Sequence, residues 1–167
     1  MIKEIETLQN AIFRQLNLSI SHLQPDPDSA EYSGYDFQLN QFRIKFRKAK
    51  ITPKKTGQFV TLWKRNSETQ ETEPFDSEDP FDFCIILTEF NNQSGFFFFS
   101  KNILCEKQIV TISSGSGKRG FRVYPDWDIP TNKQAEKTQN WQTLFFIPFT
   151  EISSLEKFNT ILETSLF

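Results

Sequence analysis

The chain has 167 residues, 37% of them hydrophobic, with two cysteines, one histidine and a formal net charge of −2. That length can bury a full core in one domain without disulfide or metal staples. A spanning helix is excluded, because the longest apolar runs, Phe83–Leu87 and Phe96–Phe99, fall far short of the roughly 20 residues needed.

Taken in order, the first segment repeats apolar residues at Ile5, Leu8, Ile12, Leu16 and Ile20, which predicts a helix from Ile2 to about Ser21. Lys3, Glu4 and Glu6 interrupt any signal-peptide core there, so a cytoplasmic protein is expected. Gln24-Pro-Asp-Pro-Asp ends the helix, with His22 an ordinary helix-end residue. Strands are predicted at Tyr35–Leu39, Gln41–Lys50 and Gln58–Lys64, separated by a turn at Asn40 and a loop at Thr52–Gly57. Ser67–Pro80 is polar, acidic and Pro-bounded, and reads as a surface loop.

Asp82–Phe90 and Gly95–Ser100 are almost continuously apolar and form a hairpin of central strands covered on both faces. Ser100 then caps a helix to about Val110. Ser113–Gly120 is a glycine-rich basic loop before a strand at Phe121–Tyr124. Thr131-x-x-Gln134 resembles a capping box opening a helix to Gln142. Ile152, Leu155, Phe158, Leu162 and Leu166 make a last amphipathic helix. The order predicts one domain, residues 1–167, of α/β (α+β) class, with a mixed central β-sheet flanked by helices. Cys84 and Cys105 lack metal-ligand spacing and read as reduced, buried thiols.

The charges are segregated. Gln41 to Arg65 holds nine cations and no acid, and Glu68 to Glu89 holds eight acids and no cation. Alternation places Arg43, Lys45 and Arg47 on one strand face, about 6–7 Å apart, where like charges repel unless an anion is present. Lys48, Lys50, Lys54 and Lys55 extend that field. Lys118, Arg119 and Arg122 lie in a glycine-flanked turn suited to phosphate oxygens, and Tyr124 and Trp127 offer faces for base stacking. The competing reading is a solvated face balanced by the acidic segment. Trp63 and Trp141 are assigned structural roles. A metal-carboxylate site would need Asp82 and Lys101 at the hairpin end, with an acid such as Glu31 or Asp36 recruited by folding. Phe99 stands where a further acid would be wanted.

Three runs resemble a known family: Phe42 to Arg65, Lys118 to Asp128, and Gln134-Ala with Thr138 to Gln142. They are similar to the MepB family of small bacterial proteins, over roughly Glu31 to Phe146. The family's name derives from a gene beside a multidrug efflux pump and its repressor. The resemblance implies a restriction-endonuclease-like, PD-(D/E)XK fold and nucleic-acid binding. Asp82 and Lys101 match two of the nuclease positions, and Phe99 departs at the third. The expectation is therefore a binder of RNA or single-stranded DNA with weak sequence specificity, monomeric or weakly dimeric, with no cofactor. Two alternatives stand beside it: a Mg²⁺-dependent nuclease, or a binder of an anionic metabolite or acidic protein in drug stress.

Overall fold

The structure, a computed structural model, describes residues 1–165. Helix α1 (Lys3–Leu8) continues through a π turn, Gln9–Phe13, and a 3₁₀ turn, Arg14–Leu16, as one helical segment. It stops earlier than the apolar spacing suggests. Asn17 adopts left-handed backbone at φ 58°, a conformation that Asn tolerates, and the chain leaves as strand β1 (Ile20–Pro25). Ile20 and His22 therefore lie in a strand and not at a helix end.

A 3₁₀ segment, Pro27–Tyr32, leads to β2 (Tyr35–Leu39) and β3 (Phe42–Lys48), joined by a turn in which Asn40 has φ 52°. Then come β4 (Lys50–Ile51), β5 (Gln58–Thr61), β6 (Trp63–Arg65) and β7 (Thr72–Pro74). β7 lies within the segment expected to be loop, where it pairs with β6. The apolar hairpin is β8 (Phe83–Phe90) and β9 (Gln93–Ser100). Ser100 caps α2 (Lys101–Glu106), accepting from the Ile103 N–H, so the helix starts where expected but is shorter. β10 (Gly120–Val123), α3 (Lys133–Gln142), β11 (Phe146–Pro148) and α4 (Ser154–Thr164) complete the chain. Asn132, not Thr131, is the cap of α3, its side chain accepting from the Ala135 N–H. Ile152 is 99% exposed and precedes the last helix, and Leu166 lies outside the described residues.

The central sheet has the order β1-β2-β3-β8-β9-β11, with β3 and β8 parallel and the other pairs antiparallel. The crossover from β3 to β8 contributes β4 and β5 to a small sheet, β10-β5-β4. Successive residues of β9 point to opposite faces. Phe96 and Phe98 accordingly join a cluster with Phe13 of the N-terminal helical segment and Phe158 of α4. Phe97 and Phe99 join a second cluster with Leu104, Val60 and Phe121. All four rings of the Phe96–Phe99 run are fully buried. This is the mixed α+β architecture expected, with layers on both faces of one sheet. Among the described residues, no helix is long and apolar enough to cross a membrane. Cys84 is buried and free, its thiol pushed up to about 11 by burial, whereas Cys105, on the short helix α2, is free but half-buried, and not buried as expected.

Candidate nucleic-acid interface

Strand β3 alternates as its sequence demands, but exposure falls along its basic face. Arg43 is exposed, the Lys45 side chain is 14% exposed, and Arg47 is fully buried. The neighbouring strands explain the difference. Lys45 sits in register with Asp36 on β2, and their side chains pair at 3.3 Å. Arg47 donates from Nη2 to Asp26 at 2.9 Å and from Nη1 to the Phe46 carbonyl at 2.8 Å. Lys48 bridges Glu4 and Glu89 at 2.9 and 3.2 Å, and Lys50 pairs with Glu31 at 3.3 Å. Lys64 meets Asp76 and Asp79 at 2.9 and 2.8 Å. Together with Arg65 beside Asp28 at 3.9 Å, six of the nine cations have a carboxylate at hand. The expected open ribbon is thus largely neutralised, partly by the acidic segment itself: Arg47 is closed off by burial, and Lys45 keeps only the N–H groups that Asp36 does not take. Arg43, Lys54 and Lys55 are the three with no ion pair among the described residues.

The Lys48–Glu4 pair fastens β3 to α1 and makes a pH-dependent contribution. The hydrogen bond from Lys48 holds the Glu4 carboxyl below its ordinary value of 4.5, outweighing burial. A carboxylate with a lowered folded pKa gives stability that is complete above its unfolded value and is lost as pH falls through the folded one. Glu4→Gln should therefore flatten the fall in Tm below about pH 4.5. At neutral pH it should cost about 0.2–1 kcal/mol, the range measured for ion pairs open to solvent. Thermal melts of both proteins across that window check this, and parallel profiles would refute it.

The second basic segment does approach the first, but its cations are spent on the fold. Arg122 donates to the Thr52 hydroxyl at 2.6 Å and to the Thr56 and Gly57 carbonyls at 3.3 and 3.4 Å, clasping the loop that carries Lys54 and Lys55. Gly57, at φ 82°, lets that loop close against Tyr124. Arg119 holds the Thr72 carbonyl at 2.8 Å, whereas Lys118 is exposed. Tyr124 is buried, and Trp127 packs edge-on against Phe146 at 5.6 Å with its indole N–H buried and unpartnered. Tyr124 is thus not the open stacking face expected, whereas Trp127 is half-buried and lines a cleft with Lys55 and Asp128.

The carboxylates do not gather either. Asp82 accepts the Arg43 backbone N–H at 2.7 Å, and Lys101 donates its own N–H to the Asp82 carbonyl at 2.9 Å, so the predicted hairpin end forms. Lys101 Nζ, however, donates to the Asp79 carbonyl at 2.9 Å. Glu31 is tied to Lys50, seven residues beyond Arg43 on extended chain, a run of roughly 20 Å. Asp36 is taken by Lys45. Phe99 is buried in the core. Among the described residues, no three His, Cys, Asp or Glu side chains come together as a metal site. This donor set does not fit Mg²⁺.

One basic feature was missed. Helix α3 carries Lys133, Lys137 and Trp141 at i, i+4 and i+8, hence on one face. That face and Lys107, just after α2, line a cleft of about 460 Å³ with Gln134 and Thr138. Lys107 Nζ stands 5.4 Å from the centre of the Trp141 ring. None of the ion pairs among the described residues involves these three lysines, and no acid lines the cleft. The signal was present in the spacing, but Glu136 between the lysines diluted it. Trp141, assigned a structural role, packs on Phe99 at 5.3 Å and also walls this cleft.

A family model described as MepB-like matches residues 26–148. The chain belongs to the MepB-like family. A solved crystal structure of MepB is 32% identical to it and superposes with a TM-score of 0.78, covering 90% of this chain and 99% of that one. No curated protein matches. The match spans β2 to β11 and thus every candidate residue placed above, except for the N-terminal Glu4 contact. The resemblance expected of Phe42–Arg65 and Lys118–Asp128 is accordingly the family's own.

Proposed function

We propose that this MepB-like protein binds single-stranded nucleic acid, RNA or DNA, with weak sequence preference and without cleaving it. The observation that carries the reading is the α2–α3 cleft, in which Lys107, Lys133 and Lys137 surround the Trp141 indole with no carboxylate among them. Unpaired lysines take successive phosphates, and an aromatic face takes an unpaired base whatever its identity. A duplex hides its base faces, so it gains only the phosphate contacts. No basic recognition helix stands ready for a major groove, because α3 bears its lysines around a tryptophan rather than an array of base-reading side chains. Lys118, Lys54 and Lys55 add positive surface and make no ion pair among the described residues. Catalysis is left out of the reading because the middle carboxylate of a PD-(D/E)XK set is replaced by the core residue Phe99, and the remaining acids are dispersed.

Fluorescence anisotropy of a labelled mixed-sequence oligonucleotide, titrated at several salt concentrations, tests it. Replacing Lys107, Lys133 and Lys137 with Gln should lower the log–log salt slope by about 2, at about 0.7 per single-strand phosphate released. Trp141→Leu should weaken single-strand binding by about 1–3 kcal/mol and duplex binding far less. Affinity that is flat from low to moderate salt, or unchanged in the triple variant, overturns the reading.

A further inference from the structure

Strand β1 is irregular near its middle. Between Ser21 and Gln24 its pairing with β2 slips, a bulge, and His22 sits at φ 53°, left-handed backbone that histidine tolerates better than most residues. Simple alternation from Ile20, which is half-buried against the first core cluster, would send His22 inward and Leu23 outward. The bulge reverses that order. Leu23 packs against the first core cluster, and His22 turns to the polar face beside Gln24. Bulges re-aim side chains next to functional sites, and this one adds the protein's single imidazole to a prepared surface.

That surface is built from cross-strand rows. Gln24 faces Asp36 and Asp36 faces Lys45 in one row, and Gln38 faces Arg43 in the next. With His22, they line a cavity of about 320 Å³ walled on the far side by Pro80 and Phe81. Along β3 the cations are matched in descending order. Arg47 has Asp26 and Lys45 has Asp36, whereas Arg43 faces the neutral Gln38 on β2, and Asp82 on its other side takes its backbone N–H and not its guanidinium. Asp36 is the one acid of the lining, and it is already paired. The cavity is therefore lined by a guanidinium with no ion pair among the described residues, an ammonium shared with Asp36, and an imidazole. A carboxylate offers two oxygens to such a set. A phosphate monoester offers three, matching a forked Arg, a Lys and a His. Phe81 and Pro80 give an apolar wall for whatever the phosphate is attached to.

We propose that this cavity, at Arg43, Lys45 and His22, is a binding site for a phosphate monoester. Its source is either a free nucleotide-sized phosphate or the phosphorylated end of a strand. The site is separate from the α2–α3 cleft and does not depend on it.

Because His22 is the only histidine, its imidazole signals in a ¹H–¹³C NMR spectrum report the cavity without assignment of the rest. The signals are followed at fixed pH and ionic strength against inorganic phosphate, a 5′-mononucleotide, its nucleoside, and an oligonucleotide with and without a 5′-phosphate. The phosphorylated compounds are expected to move them in a saturable way and the nucleoside to leave them in place. A response to phosphate and mononucleotide assigns the site to a free ligand, and one confined to the 5′-phosphorylated oligonucleotide assigns it to a strand end. Arg43→Gln, at an exposed position, should leave the fold intact and weaken the effect at least about tenfold, the loss of a charge-assisted hydrogen bond. No movement with any phosphorylated compound at millimolar concentration overturns the proposal, as do equal movement with the nucleoside and an undiminished response in Arg43→Gln. Oligonucleotide binding at the cleft, read by anisotropy, can survive each of these failures, so the two readings fall separately.

Discussion

Arg47→Ala is expected to cost about 3–5 kcal/mol, the range for stripping one partner from a buried ion pair. A domain of this kind has about 5–15 kcal/mol in all, so the variant should be largely destabilised at room temperature. The guanidinium is fully buried and spans two elements, reaching Asp26 before the 3₁₀ segment and the carbonyl of Phe46 on its own strand. Removing it leaves the Asp26 carboxylate facing a cavity. That carboxylate also accepts the Ser29 hydroxyl at 3.2 Å and the Asp28 N–H at 3.1 Å, so the whole turn loses its anchor. The pair is not a generous source of stability, because Arg47 Nε is buried with no partner. Replacing both members, as in Asp26→Asn with Arg47→Met, should therefore recover most of the loss. Urea unfolding of the two single variants and the double variant separates these outcomes. A wild-type midpoint for Arg47→Ala would refute the account, and would return Arg47 to the ranks of surface cations.

This residue also marks the limit of what could be read from the chain alone. Alternation at Phe42–Arg47 gave the strand, its face and the apolar residues opposite, because side-chain period is a local property. The apolar hairpin at 82–100 and the Ser100 cap were legible for the same reason. Which cations remain free was not. Asp26 lies 21 residues before Arg47, and Glu4 lies 44 before Lys48. An acid-free stretch of sequence is no guide to an acid-free surface when a six-stranded sheet brings distant strands side by side. The reverse holds at the α2–α3 cleft, where Glu136 stands between two lysines in sequence but outside the lining. His22 escaped for a further reason. Its position depends on a bulge and a positive φ, and no composition signal announces either at a histidine.

Phe99→Asp is the substitution that a nuclease comparison invites, since it returns a carboxylate to the position between Asp82 and Lys101. It is expected to abolish folding rather than create a metal site. Phe99 is fully buried, stacked on Phe97 at 5.4 Å and packed against Trp141 at 5.3 Å and Phe145 at 6.0 Å. Losing the ring alone costs about 3–5 kcal/mol in a core of this density. A carboxyl group there would then need either to ionise without a partner or to stay protonated, each a further penalty. Phe99→Leu conserves most of the volume and should cost less than about 1.5 kcal/mol. That variant should also alter the Trp141 emission, because the indole rests on this ring while its other surroundings form the basic cleft. Circular dichroism and urea unfolding read the first effect, and tryptophan fluorescence the second. A stably folded Phe99→Asp protein that gained Mg²⁺-dependent cleavage would mean the hairpin end holds a site one carboxylate short of working. A chain that cannot accept the acid has instead committed this position to its core, and with it to supporting Trp141, the wall of the cleft proposed to take the base.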